Sequence, residues 1–326
     1  MANKEILITG GAGFIGSHVN KMLNRKGYQT IVLDNLSKGH QGAVLYGSLI
    51  VGDLADTHLL KHIFEKHSIQ AVMHFAAFTD VGESVANPAK YYSNNVASTL
   101  NLLNTMLEHR VRTIIFSSSA AIYGYPHKPL LQEDHPCAPI SPYGESKWMV
   151  EKILQNYSEA YGIKYGSLRY FNAAGGDPEG EIKNYRAEAS NLIPRILLKL
   201  KKGENEAVIY GTDYSTSDGT CLRDYIHLND LGDAHIALLE NLLSGSLSAS
   251  YNLGNGKGFS VREVIASIEK VVGKKIQILE SSRRPGDPPI LVADSNKAAE
   301  QLHWRPKYGL DEMIAHAWTA MQFNFH

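Results

Sequence analysis

Residues 141–147 read SPYGESK and place a tyrosine, Tyr143, four positions before a lysine, Lys147. Ser141 is a favourable helix N-cap and Pro142 suits the first helical position, so a helix is predicted to begin here. At this spacing the two side chains lie on one face of that helix, one turn apart. A lysine ammonium beside a tyrosine favours the phenolate, so the pair is a candidate for acid/base chemistry. The same spacing is also frequent by chance, so other residues have to support the role.

The elements that would position this pair follow an alternating pattern. Short apolar runs alternate with amphipathic stretches in the first half of the chain, which is typical of βαβ units and a parallel sheet. The predicted strands are EILIT, QTIVLD, LIVGD, AVMHFAA, RTIIFSSS and YGSLRYFN. The predicted helices cover residues 14–25, 57–67, 91–108 and 142–161.

After Asn172 a polar, glycine-rich stretch predicts a long functional loop, and the elements beyond it are shorter and mixed. The predicted fold class is therefore α/β, with a doubly wound parallel sheet of the Rossmann type in residues 1–173. A smaller mixed α/β substrate lobe is predicted in residues 174–326, and residues 224–256 are a candidate return to the first domain.

A glycine-rich turn, TGGAGFIG, follows the first predicted strand and opens the first predicted helix. Gly11, Gly13 and Gly16 fit the GxGxxG pattern, and Gly10 adds a GxxGxxG spacing. Small residues here let the backbone turn sharply and let a pyrophosphate approach the N–H groups at the helix N-terminus. The pattern alone is weak, but its place between a strand and a helix favours a dinucleotide site.

Two aspartates end the next two predicted strands. Asp34 is placed to accept hydrogen bonds from both ribose hydroxyls and to repel a 2′-phosphate, which favours NAD over NADP. Asp53 could bond the adenine amino group, although a solvated turn residue is an equally good interpretation.

A serine cluster, Ser117 to Ser119, ends the fifth predicted strand. The carboxyl ends of parallel strands are where open α/β sheets bind ligands, and the helix of Tyr143 follows this strand in the sequence. Ser119 and Tyr143 are therefore predicted to lie at the same edge.

Tyr143 can act as a base near neutral pH only if its pKa falls by about 3 units from about 10, a preference for the phenolate of about 4 kcal/mol. A lysine ammonium about 6 Å away would supply about 3 kcal/mol at an effective dielectric constant of about 20. We expect Lys147 to be nearly sufficient, with the positive nicotinamide ring of NAD supplying the rest.

Composition narrows the class of partner. The formal net charge is −1 and no long basic run is present, so neither nucleic acid nor an anionic membrane is an expected partner. Cys137 and Cys221 form no CxxC motif, the N-terminus does not read as a signal peptide, and no apolar stretch is long enough for a membrane span, which together favour the cytoplasm. His58 and His62 are four residues apart without an HExxH motif, so no metal site is predicted.

The motifs together resemble the extended branch of the short-chain dehydrogenase/reductase superfamily, and within it the UDP-galactose 4-epimerase family. The resemblance covers essentially the whole chain and rests on TGGAGFIGSH, HFAA, VGES, FSSSAAIYG, SPYGESK, RYFN, GTCLRDYIH, YNLGNG and RRPGD. It implies an NAD-dependent epimerase of UDP-galactose and UDP-glucose, in which hydride passes from carbon 4 to NAD and returns to the other face of the sugar. It also implies a homodimer, formed through the helices that contain Leu103 and Leu154.

The resemblance assigns roles to individual residues. The implied catalytic residues are Ser119, Tyr143 and Lys147. The implied NAD-binding residues are Gly10, Gly13, Phe14, Ile15, Gly16, Asp34, Asn35, Asp53, Leu54, Phe75, Ala76, Ala77, Asn94, Ser117, Tyr143, Lys147 and Tyr170. The implied substrate-binding residues are Ser119, Tyr143, Phe171, Asn172, Asn191, Leu192, Arg223, Arg284 and Asp287.

Two rival functions remain. A nucleotide-sugar 4,6-dehydratase would carry an Asp-Glu pair directly after the hydroxyl residue that ends the strand, where this chain has Ala120 and Ala121. A protein that binds NAD without catalysis would have no need of the serine, tyrosine and lysine together.

Two positions depart from the best-known epimerase pattern. Thr79 stands where some members have a lysine that reaches the cofactor, so NAD retention could be weaker. Leu291 stands where some relatives have a bulky tyrosine that limits space around carbon 2 of the sugar, so UDP-N-acetylhexosamines are an alternative substrate class.

Overall fold

The computed structural model describes residues 4–184, 191–284 and 287–322. The strands, in chain order, are β1 (Glu5–Thr9), β2 (Gln29–Asp34), β3 (Ser48–Val51), β4 (Ile69–His74), β5 (Thr113–Ser119), β6 (Leu130–Leu131), β7 (Lys164–Tyr170), β8 (Asn172–Ala174), β9 (Glu206–Tyr210), β10 (Leu222–His227), β11 (Ala249–Leu253), β12 (Gly258–Ser260), β13 (Gln277–Ser281) and β14 (Ile290–Ala293). The helices are α1 (Phe14–Arg25), α2 (Thr57–Lys66), α3 (Val81–Ala86), α4 (Pro88–Tyr91), α5 (Ser98–Glu108), α6 (Pro142–Tyr161), α7 (Leu192–Lys201), α8 (Leu228–Ser244), α9 (Val261–Val272), α10 (Asn296–Gln301) and α11 (Leu310–Met321).

The main sheet has the strand order β11-β7-β5-β4-β1-β2-β3 within the described residues. All of its pairings are parallel. Side chains of a strand alternate between the two faces of the sheet, so Ile6 and Ile8 pack on one face while Leu7 packs on the other. Helices α1 and α8 cover the first face, and α2, α5 and α6 cover the second. The predicted doubly wound parallel sheet is confirmed.

The remaining described strands form two smaller sheets. One has the order β12-β10-β14-β6, with β8 paired to β10, and it mixes parallel and antiparallel pairs. The other contains β9 and β13. Helices α7, α9 and α11 pack on these strands around a separate core, which agrees with the predicted smaller mixed lobe.

The segment predicted as a candidate return divides between the two parts. β10 lies in the mixed sheet, whereas α8 packs on the main sheet and β11 pairs with β7 at its edge. The exact division into domains stays a prediction.

Several predicted element bounds were wrong. A π-helical segment, Tyr92–Ala97, interrupts the helix predicted over residues 91–108. We attribute the interruption to Asn95, whose side chain forms hydrogen bonds with the distant residues Phe78 and Ser146. The third and fourth strands end earlier than predicted, at Val51 and His74. The residues after these ends therefore belong to the loops along the sheet edge.

Among the described residues, no helix combines the length and the apolar character needed to cross a membrane.

Candidate active site

The glycine turn after β1 is shaped by close approaches of backbone. Gly10 has a φ of +72°, a conformation that favours glycine, and a Cβ there would lie 2.5 Å from the backbone nitrogen of Ala76. A Cβ at Gly16 would overlap the carbonyl oxygen of Gly10. Helix α1 begins after Gly13 without a side-chain cap and without an acidic residue in its first turn. The backbone N–H groups of a helix N-terminus and the positive end of the helix dipole suit an anion such as a pyrophosphate.

Asp34 is tied to this turn by its own side chain. One carboxylate oxygen accepts a hydrogen bond from the backbone of Ala12 and the other from that of Leu36, each at 2.9 Å. Burial raises the pKa of Asp34, and these two hydrogen bonds oppose the rise. A hydrogen bond also connects the loop after β2 with the loop after β3, because Asn35 donates to Asp53 over 2.6 Å. The two predicted aspartates thus border one continuous edge.

A third part of this edge comes from the segment after β4. Asn95 holds the backbone of Phe78 through two hydrogen bonds, of 2.9 and 3.0 Å, and also donates to Ser146 on α6. Asn94, the predicted cofactor residue, donates to Asn95 over 2.9 Å. The sequence analysis did not identify Asn95 as a functional residue. The available signal was its position next to Asn94 in the sequence.

Six strands, β1, β2, β3, β4, β5 and β7, are consecutive in the sheet. Apart from Asn94 and the residues on α6, the predicted cofactor residues lie at or after the carboxyl ends of these strands. A dinucleotide laid along this edge would meet the glycine turn at the centre and Asp34 to one side. The residues present therefore fit NAD.

Tyr143 lies in the first turn of α6, with Ser141 capping the helix through a 3.2 Å bond from the backbone of Gly144. Burial raises the pKa of the Tyr143 phenol, and a hydrogen bond with Ser119 opposes this rise. Burial thus dominates among the protein's own groups, and the lowering expected from Lys147 together with the nicotinamide ring stays a prediction.

Lys147 is buried and donates to the carbonyl oxygen of Ser117 over 2.8 Å. Its ammonium also lies 4.8 Å from the centre of the Phe116 ring. Burial lowers the pKa of Lys147 to about 7, while the charge of Glu151 opposes the fall. The lysine can therefore exist in both protonation states near neutral pH.

A buried ion pair that sequence reasoning missed fixes α6. Arg169 on β7 donates to both carboxylate oxygens of Glu151, with a shortest distance of 2.7 Å. Ser118 at the end of β5 donates to the same carboxylate over 2.5 Å. Helix α6, which carries Tyr143, is thus joined to the two strands beneath it. The RYFN motif contained Arg169, but nothing local indicated its partner.

Tyr170, at the end of β7, is also held by a long-range contact. Its hydroxyl lies 2.5 Å from Nε2 of His235, whose Nδ1 lies 2.7 Å from the carbonyl oxygen of Leu231. The carbonyl can only accept, so Nδ1 carries the proton and Nε2 accepts from Tyr170. Burial raises the pKa of Tyr170, so the phenol stays protonated and serves as a donor.

The predicted substrate residues gather mainly where the main sheet meets the mixed sheet. Arg223 donates to Asp287 over 3.1 Å and to the carbonyl oxygen of Pro288 over 2.8 Å. Asn172 donates to the carbonyl oxygen of Asp224 over 2.8 Å, which joins β8 to β10. Phe171 is buried in an apolar cluster with Ala120, against which Leu291 packs.

Three predicted residues take no part in these side-chain contacts. Arg284 is exposed, with its guanidinium 4.0 Å from the centre of the Tyr210 ring. Asn191 precedes α7 and is exposed, and Leu192 packs on the core of the smaller lobe. No hydrogen bond in the described part of the chain joins Asn191 to Arg223 or Asp287.

No group of histidine, cysteine and acidic side chains suited to a metal ion occurs among the residues that the structure describes.

Comparisons with known proteins place these features in a family. A family profile described as GDP-mannose 4,6 dehydratase matches residues 7–317. A UDP-glucose 4-epimerase from Halalkalibacterium halodurans is 51% identical over 316 residues, which cover 96% of this chain and 94% of the relative. A crystal structure of UDP-glucose 4-epimerase from Brucella ovis in complex with NAD has a TM-score of 0.94 and 44% identity, with 97% of each chain covered. The UDP-Glc/GlcNAc 4-epimerase from Campylobacter jejuni has a TM-score of 0.86 and 40% identity, covering 97% of this chain and 98% of the other.

The broad profile and the individual relatives differ in the activity that they name. The relatives match nearly full length at high identity, and Ala120 and Ala121 provide no carboxylate after Ser119. The chain belongs to the UDP-glucose 4-epimerase family, in the extended branch of the short-chain dehydrogenase/reductase superfamily.

Proposed function

We propose that this protein interconverts UDP-galactose and UDP-glucose by inverting carbon 4, with NAD as its bound cofactor. The observation that carries the proposal is the placement of Ser119, Tyr143 and Lys147. Ser119 ends β5 at the sheet edge that holds the glycine turn, and Lys147 of α6 donates to the carbonyl oxygen of Ser117 on β5. Ser119 also opposes the rise in the pKa of Tyr143. A proton-transfer group is thereby held beside the site for a hydride acceptor.

The cofactor would be held by the glycine turn and by Asp34 on one side, and by Asn94, Lys147 and Tyr170 on the other. When bound, NAD would accept a hydride from carbon 4 of the sugar and return it to the opposite face. Asp34 would disfavour a 2′-phosphate on the ribose, so NADP is the weaker ligand.

The protein supplies the proton chemistry. Tyr143 would take the proton of the 4-hydroxyl group as hydride leaves, and would return it when the second face is reduced. Ser119 would donate a hydrogen bond to the reacting oxygen. Because the pKa of Tyr143 is raised by burial, ionisation has to be driven by positive charge, and protonated Lys147 is placed to provide part of it.

The nucleotide end of the substrate would be held by arginine. A guanidinium group matches the oxygens of a diphosphate with two parallel hydrogen bonds. Arg223 is preorganised by Asp287 and by the backbone of Pro288, which supports its assignment to that role.

The direct test is conversion of UDP-galactose by the purified protein, followed by proton NMR, first without and then with added NAD. We expect UDP-glucose to form without added cofactor, because the reaction is redox-neutral overall. Conversion only with added NAD would indicate weak retention, for which the exposed Thr79 in place of a lysine is the expected cause. Binding of NAD without conversion of any UDP-sugar would overturn the proposal in favour of a non-catalytic NAD protein.

A second candidate substrate class is the UDP-N-acetylhexosamines. Leu291 packs beside Phe171, one of the proposed substrate residues, and leucine occupies less space than tyrosine. The Campylobacter jejuni relative is a UDP-Glc/GlcNAc epimerase. We expect measurable conversion of UDP-N-acetylglucosamine, reduced by Leu291→Tyr while conversion of UDP-galactose persists. Background conversion by the unaltered protein would exclude this activity.

The proposed assembly is a homodimer in the cytoplasm, formed through α5 and α6. Leu103 and Leu154 themselves are fully buried on the main sheet, so they cannot form the interface. The outer face of the two helices includes Tyr157 and the half-exposed Tyr161, whose rings lie 5.2 Å apart, and this face is the proposed contact.

A further inference from the structure

Tyr210, at the end of β9, has two arginines close to its ring. Its ring centre is 4.0 Å from the guanidinium carbon of Arg284 and 5.8 Å from that of Arg195. Arg195 is on α7, one turn after Asn191, which the resemblance assigns to the substrate site. No motif or resemblance assigned a role to Arg195.

Among the described residues, the two arginines have no acidic partner, in contrast to their neighbours. Arg283 pairs with Asp213 at 2.7 Å, and Arg223 pairs with Asp287 at 3.1 Å. Within residues 4–184, 191–284 and 287–322, neither Arg195 nor Arg284 forms an ion pair. Within this part of the chain, the cluster therefore carries positive charge without a counter-charge.

Arg195 is partly buried, which makes this imbalance costly. Burial lowers the pKa of its guanidinium, and the charge of Arg284 lowers it further. Stacking on Tyr210 compensates only in part, since a cation–π contact is weaker than an ion pair in a buried setting. An anion placed between the two guanidinium groups would remove the repulsion.

The same cluster adjoins the proposed substrate site. The backbone of Asp287 donates to the carbonyl oxygen of Arg284 over 3.3 Å, and the Asp287 carboxylate accepts from Arg223 over 3.1 Å. The cations therefore extend from the mixed sheet, through Arg284, to α7. A nucleoside diphosphate held by Arg223 and Arg284 would bring its phosphates towards Arg195.

We propose that Arg195 is a substrate-positioning residue, which with Arg284 binds the diphosphate of the UDP-sugar. This inference rests on the proposed function for the identity of the nucleotide. It predicts that Arg195 acts on nucleotide affinity and not on the chemical step.

The test is isothermal titration calorimetry of the NAD-loaded protein with UDP and with uridine. Arg195→Met keeps an apolar stem over Tyr210 and removes the charge. We expect UDP to bind about tenfold more weakly to this variant, as for loss of a charge-assisted contact, with uridine affinity nearly unchanged. Arg195→Lys should recover part of the UDP affinity. The matched control is Lys199→Met, one turn further along α7, whose charge is compensated by Glu204 at 4.0 Å.

Equal losses for UDP and uridine would overturn the proposal, because the phosphates would then not be the contact. Unchanged affinity for both would overturn it as well. Steady-state kinetics provide a second check: we expect Arg195→Met to raise the KM for UDP-galactose and to leave kcat unchanged. Since UDP binding is measured without turnover, failure of this inference is distinguishable from failure of the epimerase activity.

Discussion

Tyr143 lies where a proton has to move, yet burial makes its phenolate less favourable than in water. Substitution of Tyr143 by phenylalanine removes only the hydroxyl group and keeps nearly the same shape, so it tests the proposed proton transfer directly. We expect Tyr143→Phe to lower kcat for UDP-galactose by about 10²- to 10⁴-fold per bound NAD, the usual contribution of a general acid/base. The measurement is initial-rate kinetics with cofactor content read by absorbance.

The matched control for this prediction is Tyr161→Phe, the same substitution on the same helix at a half-exposed position. It should keep the unaltered turnover. Normal turnover by the Tyr143 variant would remove this tyrosine from the mechanism.

Lys147 carries a second prediction, on stability. Its pKa is about 7 in the folded protein and 10.5 as a free side chain. Between these values the unfolded chain binds a proton that the folded chain does not, so this group makes the free energy of unfolding rise with pH, by up to about 1.4 kcal/mol per unit. Lys147→Met should abolish that contribution.

Urea unfolding of cofactor-free protein at pH 7 and pH 9 tests this prediction. The gain in unfolding free energy between the two values should be larger for the unaltered protein than for Lys147→Met, by about 2–3 kcal/mol. Lys152→Met, an exposed position on the same helix, should behave like the unaltered protein. Identical pH dependence in all three would show that Lys147 keeps an ordinary pKa.

At the scale of elements, α6 is held in register by the Glu151–Arg169 pair. Glu151→Gln leaves a buried guanidinium without its counter-charge, which typically costs about 3–5 kcal/mol. We expect a loss of this size in urea unfolding, together with lower kcat, because Tyr143 and Lys147 share the helix. Glu159→Gln makes the same change at an exposed position of α6 and should cost less than about 0.5 kcal/mol. A loss confined to stability would separate the pair from catalysis.

The sequence predicted the elements that follow from local chemistry. α1 and α6 have the predicted bounds, since a glycine turn begins the first and a serine cap with proline begins the second. The strand ends converge as parallel-sheet geometry requires. The π-helical segment was not predictable, because Asn95 bonds to Ser146, 51 positions away. The burial that raises the pKa of Tyr143 was not predictable either, since burial depends on the whole fold.

At the scale of the molecule, the proposed cofactor site and the proposed nucleotide site lie on different sheets. The main sheet presents the proposed cofactor and proton-transfer residues along one edge, while the mixed sheet presents Arg223 and Asp287. Asn172, the first residue of β8, lies two positions after the end of β7 and hydrogen-bonds to β10, so it joins the two parts. A UDP-sugar bound across this junction would have its nucleotide on the mixed sheet and its sugar at the edge of the main sheet. The predicted substrate residues are therefore far apart in the sequence.

The last prediction concerns assembly. Tyr157 links α5 to α6 by donating to Asn104 over 2.9 Å, and Tyr161 extends the same face with 53% of its surface exposed. In a two-fold symmetric dimer each residue of this face is used twice, so one substitution places two charges in the interface. We expect Tyr161→Glu to convert a dimer of 36.0 kDa subunits into monomers at micromolar concentration, measured by light scattering after gel filtration. Leu247→Glu, at a more exposed apolar position beyond α8, should leave the dimer intact. If Tyr161→Glu remains a dimer, the interface does not include this face. If the unaltered protein is a monomer, the dimer proposal is wrong.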